Sequence, residues 1–484
     1  HYQALNRTYS FLGQFSATRI IYGINTGFGP MVQYRIDDEE LNNLQYNLVR
    51  SHSTGLGDAL PETYARAVLV ARLANFLQGR SGISVEVTEK LRGFLNHRIV
   101  PEIPEHGGVG ASGDLVQLAH LGLNLIGEGF VYHNGERKSA GDVLTACGLS
   151  PLKLKLRDGL GIINGTSCMT GIGAVNLIYS RRLLNLAVAC SAIINEITDS
   201  YDDSFSEGLN NAKQHPGQRY IATEMRTFLS DSGLIRKREE LFNDKEEFEN
   251  RRFSRKIQAY YSLRCVPQIL GPVYDTIESA CEVIENEINS TNDNPVVDSE
   301  LENVFHGGNF HGDYVSLEMD KLKLVITKLS MLMERQLNYL MNSRLNEKFP
   351  PFLNSGSLGL NFGFQGMQFT ATSTTAENQA LSTSLYIHSI PNNNDNQDIV
   401  SMGTNAANQA RKVIDNAFQV TGIHLMALCQ AIDLLDEASK EKLGSSTQKI
   451  YRKVREQLTF ITGDRPLSEE MRAVISLVKE NDLI

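Results

Sequence analysis

The most unusual chemistry that this sequence offers lies in three small neighbouring residues, Ala111, Ser112 and Gly113. A backbone can cyclise when an amide nitrogen attacks the carbonyl carbon two residues back. Gly113 offers the least hindered amide for such an attack on the Ala111 carbonyl. Loss of water from Ser112 then leaves a methylidene-imidazolone, an electrophile that none of the twenty side chains supplies. The triplet is a weak signal by itself, because Ala-Ser-Gly occurs by chance in many chains.

Residues 108–113 also match the G-x-G-x-x-G pattern of dinucleotide-binding loops. That interpretation requires a preceding strand within a βαβ unit, whereas Pro101 and Pro104 stand where the strand should be. A further interpretation is a tight loop before a helix. The apolar segment from Leu115 to Ile126 follows directly, with Asp114 near its cap. Nucleotide binding is therefore disfavoured.

Residues 108–115, Gly-Val-Gly-Ala-Ser-Gly-Asp-Leu, resemble the signature of the aromatic amino acid ammonia-lyase family. This family includes histidine, phenylalanine and tyrosine ammonia-lyases and aminomutases. Other segments resemble the family in the expected order, and the match runs from Ile20 to about Leu435. They are Tyr22-Gly23-Ile24-Asn25-Thr26-Gly27-Phe28-Gly29, Ile163-Asn164-Gly165-Thr166, Tyr261-Ser262-Leu263-Arg264-Cys265, Gly307-Gly308-Asn309-Phe310-His311 and Asn396-Gln397-Asp398. The resemblance implies a methylidene-imidazolone (MIO) group formed from Ala111, Ser112 and Gly113.

Elimination of ammonia also needs a base for the weakly acidic β-proton, and the resemblance gives that role to Tyr22. A phenol is a poor base at neutral pH, so the site must favour the phenolate, as helix N-termini aimed at the pocket would. Tyr261 and Asn164 resemble family residues that line the amine and prosthetic-group region. Phe310 resembles a residue that packs on the prosthetic group.

The substrate carboxylate needs a fork-shaped donor, and Arg264 fits that need. The alternative for Arg264 is an ordinary surface ion pair. Gln268, four residues later, is a second polar contact for the substrate in this interpretation. His306 and His311 do not match the H-E-x-x-H spacing, and they have no set of acidic partners, so we expect no metal.

Two positions bear on the choice of substrate, and they favour different amino acids. Ser51-His52 resembles the pair that histidine ammonia-lyases carry in the side-chain pocket. Gln397 stands where histidine enzymes usually have Glu, and phenylalanine and tyrosine enzymes carry Asn-Gln-Asp there, as this chain does. Without that carboxylate an imidazole loses a favourable partner.

Tyrosine reconciles both positions, because Ser51 or His52 could hydrogen-bond the phenol hydroxyl. Phenylalanine would leave these polar groups unpaired, at a cost of roughly 1–3 kcal/mol. Residues 390–395 also resemble tyrosine ammonia-lyases of the Bacteroidetes type. We therefore expect conversion of L-tyrosine to trans-p-coumarate. A histidine ammonia-lyase giving urocanate is the alternative, followed by a phenylalanine ammonia-lyase, an aminomutase or a non-catalytic helical scaffold.

Long segments without proline predict a mainly α protein: Met169–Thr198, Val315–Leu345 and Asn405–Leu435, with a shorter helix at Gln268–Asn289. Leu317, Lys321, Leu324, Lys328, Met331 and Arg335 illustrate the helical spacing. We expect a mixed N-terminal part (1–165) with a β-like run at 19–22. We expect a long-helix bundle next (166–438), which includes a polar excursion at 199–258. A short helical tail (439–484) ends the chain. The resemblance implies the fumarase/aspartase-like architecture and a homotetramer whose sites combine residues from three chains.

Composition narrows the class of protein further. The chain has 484 residues, 41% of them hydrophobic and 21% charged, with a net charge of −10, which argues against a nucleic-acid partner. The sequence contains no run of about 18 uninterrupted apolar residues, so we expect no membrane span. Six widely spaced cysteines, none in a C-x-x-C motif, favour a reducing, cytoplasmic location.

Overall fold

The computed structural model describes residues 1–253 and 256–480. Contacts divide the chain into two compact units, each assembled from three separate stretches. The first unit comprises His1–Leu177, Ala280–Asp320 and Ser384–Arg411, and the second comprises Ile178–Ser279, Lys321–Thr383 and Lys412–Ile484. The domain boundaries expected at 165 and 438 follow the linear order of the chain and stay a prediction.

Four long helices contain residues of both units. They are Ser167–Ile197, Val266–Ile288, Asp313–Met341 and Gly403–Asp433. Each begins within two residues of the predicted start, so the mainly α class is confirmed. At 1.5 Å per residue, the 31 residues of Ser167–Ile197 span roughly 46 Å.

The first unit combines shorter helices with small sheets. Its helices are Tyr2–Ser16, Leu41–His52, Glu62–Leu77, Val85–Asn96, Leu115–Leu125, Ala140–Ala146 and Asp158–Ile163. Its strands are Leu56–Ala59, Val100–Pro101, Pro104–His106, Phe130–His133, Glu136–Ser139, Val296–Asp298 and Asn303–Phe305. Every pairing of these strands is antiparallel, in sheets of two or three strands. One pair, Val296–Asp298 with Asn303–Phe305, forms a hairpin that matters for the site.

The second unit is helical in the part of the chain that the structure describes. Its shorter helices are Glu207–Asn211, Pro216–Phe228, Arg238–Phe242, Lys245–Glu249, Tyr261–Arg264, Ser343–Asn346, Gln365–Leu381, Glu437–Lys440, Ser445–Arg455 and Ser468–Glu480. Within Asp313–Met341, the residues of this unit that are fully buried include Leu322, Ile326, Leu329 and Met333. Leu324, which illustrated the spacing in the sequence, is 54% exposed on another face.

The prediction of a β-like run at residues 19–22 is wrong, because these residues form a bend and a turn instead of a strand. Side-chain hydrogen bonds hold the backbone there. Asn25 Oδ1 accepts from the Ile21 N–H at 2.9 Å, and Asn25 Nδ2 donates to the carbonyls of Ser16 and Arg19. Within this run Ile21 is buried and Ile20 is 85% exposed, so an apolar run of this length does not by itself indicate a strand.

One helix of the described residues, Ser167–Ile197, is long and apolar enough to cross a membrane by length and composition alone. Within its most apolar window, 72% of the residues are buried inside the protein. Core helices of folded proteins have the same properties.

Candidate active site

A cavity of about 650 Å³ in the first unit gathers six of the twelve residues predicted for the site. Tyr22, Ser51, His52, Ser112, Asn164 and Gln397 all line it. Most of the remaining lining is apolar or amide-bearing, from Phe28, Met31, Tyr34, Ile36, Leu44, Leu48, Leu115, Leu160, Ile163, Asn47, Asn393, Asn394 and Asn396. An apolar chamber with a few polar groups suits an aromatic amino acid side chain.

The loop of residues 21–30, here called the Tyr22 loop, holds its tyrosine by close backbone packing. The Gly29 N–H donates to the Tyr22 hydroxyl oxygen at 3.1 Å. Gly23 has a φ of +69°, and a Cβ there would lie 2.4 Å from Leu160 Cδ2. The Phe28 ring meets the Tyr22 ring edge-on at 6.2 Å. The phenol oxygen therefore has a fixed position and accepts a backbone N–H.

The loop of residues 107–114, the Ser112 loop, packs closely around its small residues. Gly113 has a φ of +73°, and a Cβ on it would lie 2.0 Å from the Gly165 carbonyl oxygen, so only glycine fits. Ala111 is buried, and the Ser112 carbonyl accepts from Asn164 Nδ2 at 3.0 Å. Among the described residues, the Gly113 N–H donates no hydrogen bond that would hinder its attack. The three residues fit a methylidene-imidazolone.

Asp114 fixes the end of the Ser112 loop to the start of a long helix. Its Oδ2 accepts from the N–H groups of Cys168 and Met169 at 2.8 and 2.9 Å, and its Oδ1 accepts from Thr404 Oγ1. The side chain thus satisfies donors of Ser167–Ile197 rather than those of the helix that it precedes. Burial raises the pKa of Asp114 to about 6, although these hydrogen bonds and Arg72 oppose the shift.

The buried guanidinium of Arg72 holds the backbone of Asn164 by a hydrogen bond. Arg72 is fully buried and donates to the Asn164 carbonyl at 2.9 Å and to Asn75 Oδ1 at 2.6 Å. Burial lowers the pKa of Arg72 to about 10. The sequence prediction missed this residue. Its signal was a charged residue within the otherwise apolar stretch 67–74 of the helix Glu62–Leu77.

Ser51 and His52 stand at the end of the helix Leu41–His52, on the wall of the cavity. His52 Nδ1 lies 2.9 Å from the Leu48 carbonyl oxygen and 3.1 Å from Ser51 Oγ. Since a carbonyl only accepts, Nδ1 carries a proton, and in this tautomer the lone pair lies on Nε2. Among the described residues, no hydrogen bond uses that second nitrogen, so it is available to a donor on a ligand.

Gln397 reaches the Ser112 loop from a tight turn. Its Nε2 donates to Ser112 Oγ at 2.9 Å. The backbones of Asn392 and Gln397 pair through two hydrogen bonds, and residues 393–395 between them all have positive φ. This turn brings the residue expected to select the substrate into direct contact with the residue expected to become the electrophile.

Phe310 is half-buried in the segment 306–312 and is not among the described residues that line the cavity. The segment itself is tied to the Ser112 loop, because the Gly312 N–H donates to the Gly110 carbonyl at 3.1 Å. The predicted packing of Phe310 on the prosthetic group stays a prediction.

Tyr261, Arg264 and Gln268 belong to the second unit. Arg264 and Gln268 line a cavity of about 280 Å³ in that unit. The Arg264 guanidinium stacks on the Tyr261 ring, 4.6 Å from its centre, and donates to Gln258 Oε1. Gln268 Oε1 is buried without a hydrogen-bond partner in the described structure. Their predicted contacts with substrate stay predictions.

Within residues 1–253 and 256–480, no three His, Cys, Asp or Glu side chains cluster as metal ligands would.

Comparisons with known proteins match this chain, over most of its length, to enzymes that act on aromatic amino acids. The family model described as aromatic amino acid lyase matches residues 1–456. A tyrosine ammonia-lyase from Cupriavidus metallidurans is 39% identical over 472 residues, which cover 96% of this chain and 88% of that protein. An MIO-dependent tyrosine 2,3-aminomutase from Streptomyces globisporus is 37% identical and covers 96% and 86%. A histidine ammonia-lyase from Natranaerobius thermophilus is 36% identical and covers 96% and 88%.

The crystal structure of a tyrosine aminomutase from Streptomyces globisporus matches this chain with a TM-score of 0.95 at 35% identity. The match covers 99% of this chain and 91% of that one. The predicted fumarase/aspartase-like helical architecture is therefore confirmed.

Proposed function

Because this chain belongs to the aromatic amino acid lyase family of enzymes, we propose that it eliminates ammonia from L-tyrosine to give trans-p-coumarate. The reaction breaks the bond between the α-carbon and the amino nitrogen and removes one proton from the β-carbon. The chain must therefore bind the ring and the carboxylate, take the β-proton and help the amino group to leave.

The observation that carries the proposal is the orientation of His52. Its Nδ1 is held by the Leu48 carbonyl at 2.9 Å, so the neutral ring offers Nε2 as an acceptor at the cavity wall. A tyrosine hydroxyl donates to that nitrogen. Phenylalanine has no donor for it and leaves it unpaired, at a cost of about 1–3 kcal/mol.

The same cavity gives little support to an imidazole ring. None of the described lining residues carries a carboxylate, and Gln397 offers only an amide. An imidazole ring donates one N–H hydrogen bond when neutral and two when it is protonated and positively charged, and an acidic partner suits both states. Tyrosine is therefore the better fit to this cavity.

Ala111, Ser112 and Gly113 supply the methylidene-imidazolone. When present, this group supplies an electrophile that takes up the substrate amine and makes it a better leaving group. The chain holds these residues in place from three sides. Asn164 donates to the Ser112 carbonyl at 3.0 Å, the Gly165 backbone crowds Gly113, and before dehydration Gln397 donates to the Ser112 hydroxyl at 2.9 Å.

Tyr22 acts as the base for the β-proton. Its hydroxyl oxygen already accepts the Gly29 N–H at 3.1 Å, and this donor stabilises the charge that the oxygen carries when it gives up its own proton. Arg264 binds the substrate carboxylate, with Gln268 as a further polar contact and Tyr261 beside the amine. The family's homotetramer, which we propose for this chain too, allows Tyr22 and Arg264 of one site to come from different subunits.

A second candidate is a tyrosine aminomutase, which returns the amine to the β-carbon. The 37% identity to the Streptomyces globisporus enzyme and the TM-score of 0.95 to the tyrosine aminomutase structure favour it. Ser51-His52 leaves histidine elimination as a third candidate.

The three candidates differ in their products. Purified protein is incubated separately with L-tyrosine, L-histidine and L-phenylalanine. We measure the absorbance of coumarate, urocanate and cinnamate, the ammonia released, and β-tyrosine by chiral chromatography. The proposal requires coumarate and ammonia in equal amounts, with kcat/KM for tyrosine at least tenfold above the other two. Predominant β-tyrosine supports the mutase, and predominant urocanate overturns the assignment of substrate.

A further inference from the structure

A histidine outside the predicted set makes direct contact with the Tyr22 loop. His306 follows the hairpin strand Asn303–Phe305, and its Nε2 accepts the Tyr22 backbone N–H at 3.3 Å. This hydrogen bond holds the main chain of the proposed base itself. The Gly29 N–H holds the phenol oxygen at the other end of the same residue.

The contact requires a neutral imidazole with its proton on Nδ1, because a protonated Nε2 cannot accept a hydrogen bond. Partial desolvation and then the positive charge of Arg157 lower the pKa of His306 from its ordinary value. Arg157 is itself buried and paired with Asp293 at 3.3 Å, so its charge is fixed in place. The surroundings therefore keep the acceptor form of the ring.

The residue after His306 continues the contact towards the Ser112 loop. The Gly307 N–H donates to Asn294 Oδ1 at 2.7 Å, and the Asn294 N–H donates to Asn164 Oδ1 at 2.8 Å. Asn164 Nδ2 then donates to the Ser112 carbonyl at 3.0 Å. A continuous path thus joins the proposed electrophile to the hairpin end beside Tyr22. The whole path lies within the first unit.

We propose that His306 is a positioning residue, which sets the distance between the Tyr22 hydroxyl and the β-carbon of a substrate bound at Ser112. This inference rests on the proposed role of Tyr22 as the base. A base that is displaced by an ångström loses much of its rate, while the substrate still binds. Loss of the His306 acceptor therefore lowers kcat and leaves KM nearly unchanged, in contrast to a change at His52, which we propose accepts a hydrogen bond from the substrate hydroxyl.

The experiment compares three variants of the full-length enzyme with L-tyrosine as substrate. His306→Leu removes the acceptor. His306→Gln keeps one, because a glutamine carboxamide reaches about as far as Nε2. His97→Leu is the control, because it removes an imidazole ring from an exposed position outside this path. For each we measure kcat, KM, the near-ultraviolet absorbance of the prosthetic group and the melting temperature.

We expect His306→Leu to lose roughly tenfold in kcat, within the range of one lost hydrogen bond, with KM within twofold. Its absorbance is retained, and His306→Gln recovers most of the rate. His97→Leu matches the wild type. An unchanged kcat in His306→Leu overturns the inference, and so does a glutamine variant that is as slow as the leucine variant. Parallel losses of absorbance and melting temperature in both variants also overturn it. An inactive wild type would instead refute the proposed function, so the two failures are distinct.

Discussion

The side-chain amide of Gln397 donates a hydrogen bond to Ser112 Oγ at 2.9 Å. Gln397, which we propose selects the substrate, thereby contacts the residue that we propose forms the electrophile. The contact depends on the turn from Asn392 to Gln397, whose backbone hydrogen bonds fix where the side chain starts. Substitutions at Gln397 therefore report on specificity and on the electrophile together.

Gln397→Glu tests the specificity role. A carboxylate at this position gives an imidazole the acidic partner that the described lining of the cavity lacks. The ratio of kcat/KM for histidine over tyrosine should therefore rise about tenfold, or about 1.4 kcal/mol. Steady-state assays with both substrates measure the ratio. Retained near-ultraviolet absorbance shows that the electrophile still forms. Gln397→Asn is the control for a lost contact without added charge. An unchanged ratio in the glutamate variant would remove Gln397 from substrate selection.

Ser112→Ala tests the electrophile. Without the hydroxyl there is no water to lose from the side chain and no methylidene to form. The near-ultraviolet absorbance should disappear, and ammonia release from tyrosine should fall by at least a thousandfold. The fold should persist, because the contact from Asn164 uses the Ser112 backbone. Ser150→Ala, on the exposed surface, is the matched control. Full ammonia release from Ser112→Ala contradicts the proposed chemistry.

Tyr22→Phe tests the base. The variant keeps the ring and its edge contact with Phe28 but removes the oxygen that accepts the Gly29 N–H. We expect kcat for tyrosine to fall by about 10²–10⁴, the usual contribution of a general base, with absorbance retained. Stopped assays of coumarate at saturating substrate measure the change. Tyr132→Phe, which lies on the strand Phe130–His133 away from the cavity, should keep the full rate. A Tyr22→Phe enzyme with normal turnover needs another base.

Much of the candidate site in the first unit could be predicted, because short sequence motifs contain its residues. Tyr22, Ser51, His52, Ser112, Asn164 and Gln397 come from five separate segments, yet the structure brings all six to one cavity. Helix positions were also predictable, since apolar spacing determines which residues face a core. The long helices accordingly begin within two residues of their expected starts.

The residues that sequence reasoning missed act through partners that are distant along the chain. His306 and Tyr22 are 284 positions apart, and Arg72 and Asn164 are 92 apart. No local pattern marks such a pair, because either residue alone is compatible with an ordinary surface or core position. The error at residues 19–22 has a related cause. Asn25 takes the backbone hydrogen bonds that a strand would need, and an apolar run does not reveal this.

The last prediction concerns stability and pH, and it rests on His424 in the second unit. This histidine is fully buried, and neither ring nitrogen has a hydrogen-bond partner in the described structure. Burial lowers its pKa to about 3. The unfolded chain binds a proton at His424 near pH 6.5, whereas the folded chain does not until about pH 3. The stability from this residue is therefore complete above pH 6.5 and is lost as the pH falls towards 3.

Asp114 and Asp158 act in the opposite direction. Burial raises both of their pKa values to about 6, so the stability that they give is lost as the pH rises from about 4 to 6. A variant that lacks His424 separates the two effects, because the carboxylates are the same in both proteins. His424→Met has a similar volume and cannot take up a proton.

Free energies of unfolding at pH 7.5 and pH 5 can be measured with urea for the wild type, His424→Met and the exposed-site control His97→Met. Between these pH values the wild type should lose about 2 kcal/mol more than His424→Met, from about 1.4 kcal/mol for each pH unit below 6.5. His97→Met should follow the wild type, because His97 is exposed and lies outside the buried surroundings of His424. Equal pH dependence in all three proteins would mean that water or a partner group reaches the His424 ring in solution and supports its charge.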